Sequence, residues 1–305
     1  MNMGQNKIDV SIIIVTYNVL DLLKDCLNSI HSKLNIEIFI IDNGNDQTSS
    51  FFKTTSSKYT YIKNEENIGF ARANNIGFKI AKGKYFLVLN PDTKLNKNTI
   101  DIMFEYMEKN SNVGISTCKL LLPNGSLDKA SRRSMPNIKN SIGKFFYLSK
   151  IFPQFSGYNL DKDIDAEIDV EAISGAFMFI RRNALLGDGT HKKTGFFDER
   201  FWAMGEDLDL CKRVTNNGWR ITYYPKTSTL HYKGASGGIK KSSRNRTNAN
   251  KSTKKRWIKA YFNAMELFYR KYYTKNHTSF INILAIITIK TLFFIRFMKF
   301  QITGK

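Results

Sequence analysis

Seven residues near the start, Val10-Ser-Ile-Ile-Ile-Val-Thr16, constrain this chain more than any other segment. A run dominated by β-branched side chains suits a strand covered on both faces, as at the centre of a parallel sheet. Leu20, Leu23, Leu27 and Ile30 then recur at helical spacing, and Ile36 to Ile41, apolar but for Glu37, reads as a second buried strand. Strand, helix and strand in that order make a βαβ unit, whose two strands lie parallel. The alternation continues with a helix over Phe70 to Ala81, a strand over Tyr85 to Leu89 and a helix over Thr99 to Met107. The pattern predicts an α/β fold with a mostly parallel, Rossmann-like central sheet flanked by helices.

In open sheets of this kind, ligands gather beyond the carboxyl ends of the strands. Three strand ends are polar: Thr16-Tyr17-Asn18, Asp42-Asn43-Gly44 and Asn90-Pro91-Asp92-Thr93. Asp42 can accept the ring N–H of a uracil or thymine, although Asp-Asn-Gly is also ordinary turn chemistry. The segment Asn67-Ile68-Gly69-Phe70-Ala71-Arg72 sets a glycine at a helix start and a guanidinium in its first turn, which suits a phosphate or a nucleotide edge. A plain cap and a solvated arginine are the alternatives. Asp92 is suited to hold a hard divalent cation, Mg²⁺ or Mn²⁺, that also binds phosphate oxygens, with His231 as the candidate second ligand. A capped turn and a structural histidine would look the same.

From Pro123 to Glu171 the pattern weakens to loop, with one helix expected near Ile142 to Leu148. Order returns over Ala172 to Ile180, and a helix running to Asn217 is stopped by Gly218 before a strand over Trp219 to Tyr224. The start of that helix, Gly205-Glu206-Asp207-Leu208-Asp209, crowds three acids where the helix dipole stabilises negative charge. The preceding Phe201-Trp202-Ala203-Met204 offers apolar walls that can raise a carboxyl pKa toward the range useful to a general base. The residues themselves do not choose among Glu206, Asp207 and Asp209.

The net charge of +21 invites a nucleic-acid reading, so its location matters. Sixteen Lys and Arg against the single acid Glu266 lie between Ser236 and Lys305, whereas residues 1–235 carry thirty-one basic and twenty-five acidic groups. Gly237-Gly238 opens a Ser/Asn/Lys/Arg-rich linker to Lys255, which marks a boundary between a main domain, 1–235, and a basic, helical tail, 236–305. Lys240 to Lys259 supplies nine cations with Trp257 and Ile258 as its bulky apolar companions, too few stacking rings for a nucleic-acid arm. Phe280 to Met298 is mostly apolar but interrupted by Asn282, Lys290 and Arg296, which favours a helix lying on an anionic membrane over one crossing it. Packing against the domain or a second subunit, and so a homo-oligomer, is the alternative. Three scattered cysteines give neither a disulfide framework nor a zinc spacing, and the apolar run after the polar N-terminus is too short for a signal-peptide core. A cytoplasmic protein, peripheral on the inner face of the membrane, is expected.

In order and spacing these motifs resemble the family 2 glycosyltransferases, enzymes of the GT-A fold, and among them the bacterial rhamnosyltransferase-like branch, from Val10 to about Ser236. The resemblance implies that Thr16, Tyr17, Asn18, Asp42, Asn43, Asn67, Gly69, Arg72 and Asn90 surround the nucleotide of a nucleotide-sugar donor. It makes Asp92 the last acid of an Asp-x-Asp metal motif whose first acid is here Asn90, and puts His231 near metal and diphosphate. It sets Ser174, Gly175 and Trp202 on the sugar and acceptor side, and reads Glu206-Asp207 as the pair in which Asp207 is the base. It makes 1–235 the catalytic domain, with a nucleotide-binding half of about 1–110 and an acceptor half of about 111–235. Inverting transfer to a hydroxyl of a glycan or lipid-linked acceptor follows, with dTDP-rhamnose the expected donor, UDP-galactofuranose or UDP-glucose its rivals, and a non-catalytic nucleotide-sugar-binding protein the alternative.

Overall fold

In the computed structural model, residues 7–54, 58–137, 157–159, 162–234 and 249–303 are described. The β-branched run forms β1 (Val10–Thr16), followed by α1 (Leu20–Asn28), β2 (Ile36–Asp42), α2 (Thr48–Thr54), β3 (Thr60–Lys63), α3 (Phe70–Ile80) and β4 (Tyr85–Leu89). Then come β5 (Thr93–Leu95), α4 (Thr99–Lys109), β6 (Val113–Leu121), β7 (Ile168–Asp169), β8 (Phe177–Arg181), α5 (Arg182–Leu186), α6 (Glu206–Asn216) and β9 (Arg220–His231). Two long helices, α7 (Lys251–Tyr272) and α8 (Ser279–Thr303), complete the chain. The helix expected near Ile142 to Leu148 and the expected boundary at 235/236 lie outside the described residues.

One sheet carries both expected halves, in the order β3-β2-β1-β4-β8-β6-β9-β5, with β7 also on β9. Its first part is the parallel sheet expected, since β1 pairs in parallel with β2 and β4, and β2 with β3. The other part is mixed: β8 is antiparallel to both β4 and β6, β9 runs parallel to β6, and β5 and β7 are antiparallel to β9. β1 is buried along its whole length, which explains its composition. One apolar layer joins its Ile13 and Val15 to α3, α6 and the inner face of α7; the other joins Ile12 and Ile14 to α1 and α4.

The antiparallel insertion of β8 positions the site. It sets Phe177 opposite Leu89, and the Asn90 N–H then donates to the Ala176 carbonyl at 3.0 Å. The polar turns Asn90-Pro91-Asp92 and Ser174-Gly175-Ala176 thus leave the sheet side by side.

The tail differs from a linker followed by one membrane helix. Helix α7 begins at Lys251, capped by the Asn250 side chain, and packs on the body of the protein through buried Ala264 and Phe268. Helix α8 folds back along α7, with Phe293 meeting Phe262, and leaves most of its other apolar side chains exposed.

Candidate active site

At the first two strand ends, Asp42 is fully buried and its carboxylate is well occupied. Oδ1 accepts the Gly44 N–H at 2.7 Å, and Oδ2 accepts the Tyr61 hydroxyl at 2.6 Å and Lys63 Nζ at 3.2 Å. Three bonds leave a carboxylate about one free lone-pair direction, so Asp42 orders the ends of β1, β2 and β3 as much as it faces outward. Asn18 takes a left-handed backbone, φ 55°, and its Oδ1 accepts the Asn45 N–H at 2.8 Å. Thr16 is buried, and its hydroxyl has no partner among the described residues. Asn43 Nδ2 donates to the Gly69 carbonyl at 3.1 Å, and Asn67 Oδ1 accepts the Gly69 N–H at 3.0 Å. Thr16, Asn18, Asp42, Asn43, Asn67 and Gly69 thus share one end of the parallel sheet. Gly69 has φ 93°, and a Cβ there would lie 2.3 Å from the Trp202 carbonyl oxygen, so only glycine fits. Arg72 points elsewhere: it is largely exposed, with Nε 3.6 Å from Glu199. Trp202, expected near the sugar, backs Gly69 and lies beneath the Arg256 guanidinium of α7.

At the third strand end, Asp92 and His231 come together, with Nε2 3.5 Å from Asp92 Oδ1 and both side chains buried. Register explains the pairing, since Thr93 lies opposite His231 across β5 and β9. His231 Nδ1 donates at 2.9 Å to Asp128, a buried acid not anticipated from sequence, which also takes Lys233 Nζ. Burial alone would depress the His231 pKa, but the charge of Asp92 and the bond to Asp128 outweigh it and raise it to about 9. Asp128 is likewise opposed by burial, and His231 and Lys233 hold it well below the usual carboxylate range. Among the described residues no group of three or more His, Cys, Asp and Glu side chains gathers that could hold a metal. Once its Nε2 proton is given up, His231, oriented from behind by Asp128, fits together with Asp92 a cation completed by phosphate oxygens and water.

At the third place, α6 begins at Gly205, whose φ of 86° turns the chain between Phe201 and Ala264 of α7. Asp207 Oδ1 accepts the Leu208 N–H at 2.7 Å, while Oδ2 takes Arg133 Nη2 at 2.5 Å and the Gly175 N–H at 3.4 Å. Arg133 arrives from the stretch read as loop, paired by its backbone with Ala172 and donating also to the Ile173 carbonyl. Burial opposes its charge, and Asp207 more than compensates. Neither Asp128 nor Arg133 carries a periodic signal; the only hint is the charged run Asp128-Lys-Ala-Ser-Arg-Arg133 within a loop. Glu206 is buried, with Oε2 lacking a partner among the described residues, and burial followed by the Asp207 charge raises its pKa to about 8. Asp209 is buried and bound by Arg213 at 2.8 Å, Lys271 at 2.5 Å and the Tyr272 hydroxyl at 2.7 Å. Its full set of partners makes it the anchor of α7, leaving Glu206 and Asp207 at the turn.

The model of the family described as glycosyl transferase family 2 matches residues 11–185, more than half of the chain. The chain belongs to that family. It is 26% identical to Rhamnosyltransferase WbbL of Escherichia coli K12, over 73% of this chain and 83% of that protein. It is 28% identical to an N-acetylglucosaminyl-diphospho-decaprenol L-rhamnosyltransferase of Mycobacterium tuberculosis, over 50% of this chain. The matched part spans about half, 48%, of that mycobacterial relative. Among solved structures, S. aureus TarS 1–349 in complex with UDP-GlcNAc superposes with a TM-score of 0.51 at 16% identity, covering 83% of this chain and 66% of that one. At that identity the likeness is one of fold, and the fold of this family 2 glycosyltransferase is the GT-A arrangement the sequence predicts.

Proposed function

We propose that the chain moves a sugar, with inversion, from a nucleoside diphosphate to a hydroxyl of a glycan or lipid-linked acceptor, with dTDP-rhamnose as donor. The observation that carries this reading is the adjacency of two turns. Gly175, which donates to Asp207, is next to Ala176, which accepts from Asn90, two residues before Asp92. A base and a diphosphate-holding end therefore meet across one strand pair, as a single displacement requires.

In this mechanism the loops carrying Thr16, Tyr17, Asn18, Asp42, Asn43, Asn67, Gly69 and Asn90 hold the nucleotide. Asp207 takes the proton of the acceptor hydroxyl as its oxygen attacks the anomeric carbon, and Arg133 and Gly175 fix the carboxylate in place. Asp92 and His231 would hold a divalent cation, Mg²⁺ or Mn²⁺, which would supply positive charge to the departing diphosphate. Lys233 adds a cation beside the same turn. The rhamnose assignment is supported by the chain's similarity to two rhamnosyltransferases and by the Asn-Pro-Asp-Thr motif.

Helix α8 fits a membrane partner. Its most apolar 18-residue stretch has a mean hydropathy of 1.9, and Phe280, Ile283, Leu284, Ile287, Phe294, Ile295, Met298 and Ile302 are exposed. Steps of three and four put these side chains on one stripe of the helix, with Lys290 and Lys299 at its borders and Arg296 opposite. A helix lying in an anionic interface on the inner face of the membrane uses such a stripe, and a lipid-linked acceptor would be reached from there.

The test is a panel of dTDP-rhamnose, UDP-galactofuranose, UDP-glucose and UDP-GlcNAc, with nucleotide release as the readout. Release from dTDP-rhamnose alone is expected; release from another donor reassigns the sugar. A protein that binds and hydrolyses none of them sinks the reading. Co-sedimentation with phosphatidylglycerol vesicles, absent with neutral ones, is expected for the tail.

A further inference from the structure

Helix α7 reaches across the body from the nucleotide loops to the acid-bearing helix, and its two ends do different things. The C-terminal end is an anchor: Lys271 spans Asp198 at 2.8 Å and Asp209 at 2.5 Å. The N-terminal end touches residues of the donor pocket. The Tyr17 hydroxyl is 3.3 Å from the Thr253 hydroxyl, and Arg256 Nη2 donates to the Asn67 carbonyl at 3.0 Å. The Arg256 guanidinium also sits 4.2 Å from the centroid of the Trp202 ring, with the Trp257 ring 5.9 Å away at right angles to it.

Those contacts bear directly on the pocket's shape. The Trp202 carbonyl accepts the Phe70 N–H at 2.7 Å, fixing the start of α3, and leaves no room beside Gly69 for any side chain. Gly69 in turn is tied to Asn43 and Asn67. One guanidinium therefore holds both walls of the Asn67-to-Gly69 turn, the Asn67 carbonyl by a hydrogen bond and Trp202 by its ring face. Planar stacking combined with directed donation is what arginine offers and lysine does not.

We propose that Arg256 is a positioning residue of the donor pocket, by which the tail helix sets nucleotide affinity. This rests on the reading of the Asn67-to-Gly69 turn as part of the donor site. Arg256 acts through Trp202 and Asn67, so its loss relaxes the turn without removing the base. Helix α8 follows the C-terminal end of α7 and folds back along it, so that beside Arg256 the Lys255 Nζ lies 5.3 Å from the Phe297 ring, and the part of the chain proposed to meet the membrane touches the part shaping the pocket.

The experiment titrates dTDP and UDP into the full-length protein by calorimetry and measures donor KM and kcat, for wild type, Arg256→Gln, Arg256→Lys and Arg270→Gln. Arg270 lies on the same helix and, among the described residues, pairs with Glu266 on the surface, so it controls for loss of a tail cation. Arg256→Gln is expected to weaken nucleotide binding and raise donor KM about five- to tenfold, with kcat within about twofold. Arg256→Lys should share most of that loss, while Arg270→Gln matches wild type. Equal affinity in wild type and Arg256→Gln overturns the proposal, as does an equal loss in Arg270→Gln. Wild type that binds neither nucleotide defeats the donor-site reading itself, a separate outcome. Unfolding midpoints identify a misfolded variant, and Thr253→Val, which cuts the Tyr17 contact on the same end, then decides by the same criteria.

Discussion

Two clusters of acids flank the proposed reaction centre, and they are neutralised differently. At the strand ends, Asp92 and Asp128 face His231 and Lys233, so each buried charge has an opposite one beside it. At the start of α6, Asp207 takes Arg133 and Asp209 takes Arg213 and Lys271, but Glu206 has no cation in contact among the described residues. The first cluster is a balanced electrostatic cradle suited to a diphosphate with its metal. The second contains one carboxyl whose ionisation is resisted, next to one fixed by an arginine, an arrangement that separates a proton-holding acid from a proton-taking one.

The largest effect that would break this contrast is at Asp207. Asp207→Asn keeps the shape and removes the proton acceptor, and turnover should fall about 10²- to 10⁴-fold while nucleotide affinity stays within about threefold of wild type. Near-normal turnover would move the base elsewhere. The matching change in the cradle is Asp128→Asn, which strips a fully buried carboxylate from His231 and Lys233. Loss of one partner of a buried ion pair costs about 3 kcal/mol, so denaturant unfolding should show a large stability loss. A stability loss below about 1 kcal/mol would mean that Lys233 escapes to water and the cradle is not balanced as described.

The parallel half of the sheet was legible because β1, β2 and β4 are short, mostly apolar runs, as strands covered on both faces are. β6 was not legible, since Val-Gly-Ile-Ser-Thr-Cys-Lys-Leu-Leu mixes polar groups into a buried strand. Those groups are satisfied only in the sheet, Ser116 by Thr222 and Thr117 by the Phe177 carbonyl. Strand β9 likewise outruns the expected Trp219 to Tyr224, because pairing with β6 and β5 carries it through Pro225 and the polar residues after it to His231. At the site, Asp92 and Asp207 stood at recognisable strand and helix ends. Asp128, which holds His231, and Arg133, which holds Asp207, lie in aperiodic chain, and only the tertiary fold brings them to the site.

A pH series sharpens the contrast at Glu206. An acid whose folded pKa is raised from 4.5 to about 8 binds a proton in the folded state that the unfolded state has already released. Stability therefore falls as pH rises between those values, at up to about 1.4 kcal/mol per pH unit, and levels off above them. Glu206→Gln removes that proton uptake. Its unfolding free energy, compared with wild type from pH 5 to 9, should lack this downward slope. Parallel curves for the two proteins would mean that Glu206 is ionised at neutral pH and that the two clusters are neutralised alike.

The smallest effect separates Asp209 from its neighbours. Its carboxylate takes two cations as well as the Tyr272 hydroxyl, so Tyr272→Phe removes one bond of several and leaves the charge balance intact. One hydrogen bond to a charged group that keeps its other partners contributes about 1 kcal/mol, and the unfolding midpoint should drop by a few degrees with turnover within about twofold. The alternative is informative because Asp209 lies on the same first turns of α6 as Asp207, and α7 holds it there. A tenfold fall in kcat in Tyr272→Phe, at unchanged stability, would show that the anchor sets the position of the base. Asp209 would then belong with Asp207 in the reaction, and the α6 cluster would work as one unit rather than as a base, a buried acid and an anchor.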